Sequence, residues 1–189
     1  MMKLTGLWGI VLALLAAPVS ATTLSFAGPA TAVQVGDTFT VDVLVAQAPD
    51  LYAFQFDVTF DPAITQVNTV VEGDFLSAGG RATFFLPGTI DNGAGTVSFT
   101  ANTLAGPGPG VTGDGLLVQL SFHALAAGQS ALSFGNVVLL DSALMELATT
   151  PVAGALHVAS VPEPASLALF GIGLAILQAD ARRRMHNRR

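Results

Sequence analysis

Residues 52–62 read Tyr-Ala-Phe-Gln-Phe-Asp-Val-Thr-Phe-Asp-Pro, and every second position up to Phe60 is a large apolar residue. Successive side chains of a β-strand point to opposite faces, so this alternation predicts a strand that is buried on one face only. Asp61-Pro62 then predicts a turn. The buried face would hold Tyr52, Phe54, Phe56, Val58 and Phe60, and the exposed face would hold Gln55, Asp57 and Thr59.

The same period of two recurs in three other runs, at residues 39–45, 97–102 and 116–124. In the second run the pattern predicts that Val97, Phe99 and Ala101 face inward while Ser98, Thr100 and Asn102 face outward. Turn signals rich in Gly, Pro, Asp and Asn separate the runs, and no helical pattern stands between them. Many short strands with closely spaced turns predict an all-β fold, an antiparallel jelly-roll β-sandwich.

Composition limits the classes of function. The chain has 189 residues and no cysteine, which excludes disulfides, thiolate metal sites and a cysteine nucleophile. All seven Lys and Arg residues lie at the two ends except Arg81. Between residues 22 and 160 that single arginine stands against eleven acids: Asp37, Asp42, Asp50, Asp57, Asp61, Glu72, Asp74, Asp91, Asp114, Asp141 and Glu146. Nucleic acid is therefore a poor partner, because binding to phosphates needs clustered basic residues.

Residues 1–21 have the order of a secretory signal peptide. Lys3 supplies the positive start, residues 7–17 form the apolar region, and Val19-Ser20-Ala21 offers small residues to signal peptidase. We expect cleavage after Ala21 and a folded domain over residues 22–159.

Residues 160–189 have three parts in a fixed order. Pro162-Glu163-Pro164 is followed by an apolar run over residues 167–177 and then by a basic cluster that begins with Arg182, Arg183 and Arg184. The prolines keep the chain extended, and the apolar run predicts a short transmembrane helix with the arginines on the cytoplasmic side. Residues 166–179 fall short of the roughly 17 to 25 residues of a comfortable membrane span, so the inner membrane would hold this segment only transiently. An ordinary C-terminal anchor helix is the alternative.

This arrangement resembles the PEP-CTERM sorting signal of Gram-negative bacteria, which an exosortase recognises. The resemblance rests on Pro162, Glu163 and Pro164 as the sorting motif, on Ala165-Ser166 after them, and on Arg182, Arg183 and Arg184 as the retention cluster. Gln178-Ala179-Asp180 departs from it, because the end of the helix becomes more polar than is usual. The resemblance implies processing near the motif and delivery to the outer surface or extracellular matrix.

Residues 23–159 resemble cohesin domains. The resemblance rests on an ordered set of segments: Val35-Gly-Asp-Thr-Phe-Thr-Val41, Phe54 to Pro62, Gly113 to Phe122, and Ala155-Leu-His-Val158. It implies a nine-stranded jelly-roll sandwich of the kind that binds dockerin modules through one sheet face. The candidate binding face would then be Gln55, Asp57, Thr59, Ser98, Thr100 and Asn102. Solvated strand positions explain the same polar alternation without a partner.

No catalytic constellation is present, so we predict a protein that is not an enzyme and has no metal-binding or catalytic residues. His123, His157 and His186 are not at metal-ligand spacing, and no nucleophile elbow or phosphate loop occurs. No cofactor is expected. Calcium is the one ion to consider, since Asp91-Asn92 and Asp114 offer hard oxygen ligands in Gly-rich turns. Turn formation by Asp and Asn accounts for these residues without an ion.

The sequence therefore predicts an exported binding or adhesion module whose partner, a protein or a polysaccharide, is not identified. The alternatives are a structural component of the extracellular matrix or biofilm, and a carbohydrate-binding module. Sugar binding usually needs exposed aromatic rings. Trp8 lies in the predicted signal peptide and Tyr52 on the buried face, which favours contact with protein over sugar stacking.

Overall fold

A computed structural model describes residues 21–160. The signal peptide predicted over residues 1–21 lies outside the described residues except for Ala21, and the sorting segment predicted over residues 160–189 lies outside them except for Ser160. Within the described range, no helix has the length and apolar character needed to cross a membrane.

The described residues form twelve β-strands. The first six are β1 (Thr22–Ala27), β2 (Val33–Gln34), β3 (Thr38–Leu51), β4 (Ala53–Thr59), β5 (Thr65–Glu72) and β6 (Thr83–Leu86). The other six are β7 (Thr89–Asp91), β8 (Thr96–Leu104), β9 (Val111–Ala124), β10 (Gly128–Leu140), β11 (Thr149–Pro151) and β12 (Gly154–Ala159). The alternating segments singled out in the sequence lie on β3, β4, β8 and β9.

The strands form two sheets that pack face to face. One is five-stranded, in the order β11-β1-β3-β9-β5, and the other is seven-stranded, in the order β2-β12-β10-β4-β8-β6 with β7 also paired to β8. All pairs are antiparallel except β1 with β11 and β2 with β12, which are parallel pairs at sheet edges. The prediction of an all-β sandwich is confirmed.

The core lies between the sheets and follows the period of two. Val41, Val43 and Val45 of β3 and Phe56 and Val58 of β4 are at most 1% exposed. Each such side chain contributes about 1.5–3 kcal/mol when it leaves water. The alternation that the sequence showed in these two strands is therefore the alternation between core and outer face.

A β-bulge changes the alternation in β9. The pairing of β3 with β9 shifts register between Val43 and Leu44, so that Leu117 has no partner of its own. Leu117 and Val118 are consecutive, yet both are at most 1% exposed. The period of two over residues 116–124 predicts that Leu117 faces outward with Gln119 and Ser121. That prediction is wrong because a bulge lets two successive side chains turn to the same face.

Side-chain hydrogen bonds join the two sheets along one side of the sandwich. The amide of Asn92 accepts from Val67 N at 2.8 Å and donates to Val67 O at 3.0 Å. The Glu72 carboxylate accepts from Thr83 Oγ1 at 2.5 Å and from Asn102 Nδ2 at 2.8 Å. Asn92 thereby occupies backbone groups on the free edge of β5, where another chain would otherwise be able to pair.

Candidate functional site

An apolar groove lies on the seven-stranded sheet, across β4, β6, β8 and β10. Its volume is about 350 Å³. Phe84 is 69% exposed, and Leu86 and Phe99 are each 53% exposed. The residues that line it are Ala53, Phe54, Gln55, Phe84, Leu86, Phe99, Ala101, Asn102, Thr103, Val138 and Leu140. Large apolar side chains grouped in a concave surface are typical of a binding site.

The contribution of β8 to the groove depends on a bulge at Phe99. Phe99 has a positive φ of 59°, and the pairing of β4 with β8 shifts register between Phe56 and Val58. Ser98 and Phe99 are both exposed in consequence, and the alternation beyond them is reversed. Ala101 and Thr103 then line the groove.

This bulge corrects the candidate binding face predicted from the sequence. Thr100 is 0% exposed and Asn102 is 3% exposed, so the expectation that both face solvent is wrong. Thr100 Oγ1 donates to Pro87 O at 3.2 Å, and Asn102 Nδ2 donates to Glu72. The strict period of two failed here because the extra residue of a bulge moves every later side chain to the other face.

A second bulge, in β10, brings apolar side chains to the opposite side of the groove. The pairing of β10 with β4 shifts register between Gly135 and Val138, and Asn136 in this interval has a φ of 47°. Leu132 faces the core before the bulge, and Leu139 does so after it. Val138 and Leu140 are thereby turned toward the groove.

The edge strand β6 supplies the most exposed side chains. Phe84 and Leu86 point away from the core, whereas Phe85 packs against it. Gly88, which follows Pro87, has a φ of 83°, and a Cβ there would lie 2.6 Å from Ser98 O. The break divides this edge of the sheet into two short strands, β6 and β7, and short edge strands resist pairing with another chain.

The other predicted face residues divide into two groups. Gln55 lines the groove. Thr59 and Ser98 are exposed but do not line it, and the hydroxyl of Thr59 lies 2.6 Å from Ser133 Oγ. Asp57 is half-buried and has hydrogen-bond partners from its own chain on both carboxylate oxygens.

Sequence reasoning missed the apolar residues of the groove, namely Phe84, Leu86, Phe99, Val138 and Leu140. One signal was present. Residues 84–86 read Phe-Phe-Leu and residues 137–140 read Val-Val-Leu-Leu, so these segments are apolar at successive positions. Such a strand offers apolar side chains to both of its faces, which indicates that the outer face is also covered or used for binding.

Arg81 is the one Lys or Arg residue in the described part of the chain, and its guanidinium is held by backbone oxygens. It donates to Pro109 O at 2.5 Å, to Gly106 O at 2.9 Å and to Ala105 O at 3.3 Å. It also lies 5.7 Å from the centre of the Tyr52 ring, whose hydroxyl donates to Gly106 O at 2.6 Å. The guanidinium of Arg81 is therefore engaged by its own chain, and no Asp or Glu is among the residues that line the groove.

Asp50 anchors the loop that follows β10 at one end of the groove. Its carboxylate accepts from Ser142 Oγ at 2.5 Å, from Ser142 N at 3.1 Å and from Gly110 N at 2.5 Å. The hydrogen bond from the Ser142 side chain is the largest cause that lowers the pKa of Asp50 from its ordinary value of 3.8. The charged form of Asp50 thus fixes the position of this loop.

The calcium candidates lie in different places and have backbone partners. Asp91 Oδ1, at the end of β7, accepts from Gly93 N and Ala94 N of the following turn, both at 2.9 Å. Asp114 Oδ1, in β9, accepts from Gln47 N at 2.6 Å. Among residues 21–160, no group of three or more His, Cys, Asp or Glu side chains is placed to hold a metal ion.

Comparison with known proteins adds two matches to families and a set of similar structures. A family model for the cohesin domain matches residues 25–158, and one for the PEP-CTERM protein-sorting motif matches residues 160–184. No curated protein matches this chain.

The solved structures that resemble this chain include several cohesins. The second type II cohesin module from the adaptor scaffoldin of Acetivibrio cellulolyticus has a TM-score of 0.63 at 13% identity, over 77% of this chain and 94% of that one. A cohesin from a type I cohesin–dockerin complex of Clostridium thermocellum has a TM-score of 0.62 at 13% identity, over 77% and 99%. A non-cellulosomal cohesin from the archaeon Archaeoglobus fulgidus has a TM-score of 0.58 at 15% identity, over 75% and 93%. At such identities the structural likeness shows the fold alone.

Proposed function

This chain belongs to the cohesin domain family, and we propose that it is an exported, non-enzymatic module that binds a protein partner through the apolar groove of its seven-stranded sheet. Cohesin domains are protein-binding modules, and the sorting motif at residues 160–184 indicates export and sorting to the cell surface. The observation that carries the proposal is the exposure of Phe84, Leu86 and Phe99 around one concave surface. Such residues would lose contact with water when a partner packs against them, and burial of apolar surface is the main source of binding free energy.

The charge of the domain defines the partner further. Eleven acids and one arginine lie between residues 22 and 160, and Arg81 is already held by backbone oxygens. We therefore expect the partner to present apolar side chains that fill the groove, with Lys or Arg side chains around them. Complementary charge of this kind steers association and raises its rate. The dockerin bound in the similar Clostridium thermocellum complex is a precedent for a protein ligand.

A polysaccharide fits the groove less well. The sequence argument against sugar stacking rested on Trp8 and Tyr52 alone, but Phe84 and Phe99 are exposed aromatic rings. Rings alone do not suffice, because recognition of a sugar also needs several polar groups that pair with its hydroxyls. Gln55, Thr103 and the buried Asn102 are the only side chains with hydrogen-bonding groups among the eleven that line the groove.

A capture experiment with matched variants tests the binding site. The exported protein is used as bait against the secreted fraction of its source organism. Leu86→Glu places a charge in the groove, and Val71→Glu places one on an exposed apolar residue of β5, in the other sheet; both parent side chains are 53% exposed. Leu86→Glu should weaken capture at least about tenfold, as loss of a central contact does, while Val71→Glu leaves it unchanged.

The outcomes separate the proposed classes of function. Equal capture by both variants would refute the groove as the binding site. Capture of soluble polysaccharide that Leu86→Glu abolishes would favour the carbohydrate-binding alternative. No groove-dependent ligand of either kind would favour a structural component of the matrix.

We also propose how the protein reaches its site of action. An exosortase would cut near Pro162-Glu163-Pro164 while the apolar run and Arg182-Arg183-Arg184 hold the chain transiently in the inner membrane, and the domain would then pass to the outer surface or matrix. The motif lies directly after the folded domain, since β12 ends at Ala159 and only Ser160 and Val161 precede Pro162. Mass spectrometry of the exported protein should find a C-terminus near the motif, and a tail intact to Arg189 would refute this route.

A further inference from the structure

We propose that Asp57 is a positioning residue that shapes the apolar groove by holding bulges in both strands that flank β4. The inference deepens the proposed function, since it concerns the same groove. Asp57 is not among the residues that line the groove. It acts through Phe99 on one side and Asn136 on the other.

The geometry places one carboxylate between two irregular strands. Asp57 lies in β4, which pairs with β8 on one side and β10 on the other. Its Oδ1 accepts from Phe99 N at 2.7 Å, and its Oδ2 accepts from Asn136 Nδ2 at 2.5 Å. The pairing of β4 with β8 shifts register between Phe56 and Val58, the two neighbours of Asp57. The pairing of β4 with β10 is interrupted directly after Gly135, and Asp57 is the partner of Gly135.

Each bulge needs the support that Asp57 gives. Phe99 has a φ of 59°, in a region that a bulky side chain rarely adopts. A bulge also removes a backbone N–H from the ladder, and that donor needs another acceptor. The carboxylate of Asp57 accepts from this donor in β8 and from the side chain of the left-handed residue, Asn136, in β10. One side chain therefore favours the bulged form of both neighbouring strands.

The bulges decide which side chains form the groove. Without the bulge in β8, regular alternation from Val97 would turn Phe99 and Ala101 toward the core and Thr100 toward solvent. The bulge in β10 likewise allows Val138 and Leu140 to reach the groove while Leu139 stays buried. Asp57 thus exchanges the polar Thr100 and Asn102 for Phe99 and Ala101 on the outer face of β8, and it turns Val138 and Leu140 of β10 toward the groove.

Cysteine labelling tests this directly, because the chain has no cysteine of its own. Phe99→Cys and Thr100→Cys are made separately in the full-length protein, and the rate of reaction of each with a maleimide is measured. Phe99 is 53% exposed and Thr100 is 0% exposed, so position 99 should react at least about tenfold faster, since reactivity follows accessibility. In the Asp57→Ala background we expect position 99 to slow and position 100 to accelerate, so that the ratio falls to about threefold or less.

Opposite changes in the labelling rates at positions 99 and 100 distinguish a positioning role of Asp57 from a general stabilisation of the fold. If Asp57 merely stabilised the fold, its loss would accelerate both positions together. Asp37→Ala is the matched control, since Asp37 also accepts from a backbone N–H, that of Gln34 at 2.8 Å, in a turn remote from the groove. The ratio should be unchanged in that background. An unchanged ratio in Asp57→Ala, or acceleration of both positions, would overturn the proposal.

Two further variants keep the test decisive if Asp57→Ala does not fold. Asp57→Asn keeps one oxygen that accepts from Phe99 N, and its amide group donates toward Asn136. The ratio of the labelling rates at positions 99 and 100 should therefore stay high. Asp57→Ser is too short to reach both partners, so the ratio should fall by about half or more. Because no binding partner enters these measurements, a collapsed ratio without groove-dependent capture would refute the proposed function and leave the role of Asp57 intact.

Discussion

Replacing Asn102 by alanine should destabilise the domain far more than replacing Ser98 by alanine. Both residues belong to the polar alternation of β8, so the sequence pattern predicts two exposed side chains with similar, small effects. The structure separates them. Asn102 is 3% exposed, whereas Ser98 lies on the surface at the bulge.

The magnitude follows from the hydrogen bonds that Asn102 makes. Its Nδ2 donates to Glu72 Oε1 at 2.8 Å, and its Oδ1 accepts from Thr103 N at 2.8 Å. A hydrogen bond to a charged group contributes about 1.5–3 kcal/mol. Glu72 is half-buried, so the loss of this donor leaves its carboxylate partly unsatisfied. We expect Asn102→Ala to lower the free energy of unfolding by about 2 kcal/mol. Ser98→Ala should stay within about 0.5 kcal/mol of the parent, as most surface substitutions do.

Urea unfolding measures both values. The two variants should share the slope of the parent protein, so that a shift of the midpoint reports stability alone. Equal changes in the two variants, whether both small or both large, would refute the reversed alternation beyond Phe99 and the contact between Asn102 and Glu72.

Three further predictions follow from single contacts. The pKa of Asp50 is lowered in the folded protein by the hydrogen bond from Ser142, so its contribution to stability is complete above its ordinary pKa of 3.8 and is lost as the pH falls through the lower folded value. The difference in unfolding free energy between the parent and Asp50→Asn should therefore be constant above about pH 5 and shrink as the pH falls below about 4, and a difference that does not shrink there would contradict this. Gly95 has a φ of 69°, and a Cβ there would lie 2.3 Å from Phe60 O, so Gly95→Ala should lower the unfolding free energy by more than about 1 kcal/mol. Gly79→Ala, where a Cβ meets nothing within 4 Å, is the control, and an equal effect there would count against the steric explanation. Finally, calcium at millimolar concentration should leave the melting temperature unchanged, because Asp91 and Asp114 already accept from backbone N–H groups; a rise of several degrees, read by calorimetry, would show a calcium site.

The fold was predictable because most strands bury one face in a regular way. Val41, Val43 and Val45, and likewise Phe54, Phe56 and Val58, are all buried as their alternation predicted. The hydrophobic effect acts on each of these side chains independently, so a local pattern carries the information. Residues 155–158, which belong to the segments that carry the resemblance to cohesins, lie in β12, where Leu156 and Val158 are buried.

The groove was not predictable in the same way because it depends on bulges. The register at Phe99 is set by the pairing of β8 with β4 and by the carboxylate of Asp57, and neither is visible in the local sequence of β8. A shift of one residue exchanged Thr100 and Asn102 for Phe99 and Ala101 on the outer face. The bulge at Asn136 in β10 could not be predicted from the local sequence either, since its partner Asp57 is 79 residues away in the chain.

Photo-cross-linking from the groove tests the central claim most directly. A photoreactive amino acid is placed at Phe84, which is 69% exposed in the groove, or at Val71, which is 53% exposed on β5, and the exported protein is irradiated with the secreted fraction. We predict a cross-link from position 84 to a polypeptide with apolar and basic residues at the point of attachment, and none to that polypeptide from position 71. Cross-links of equal yield from both positions, or a partner that joins only at position 71, would contradict binding through the groove.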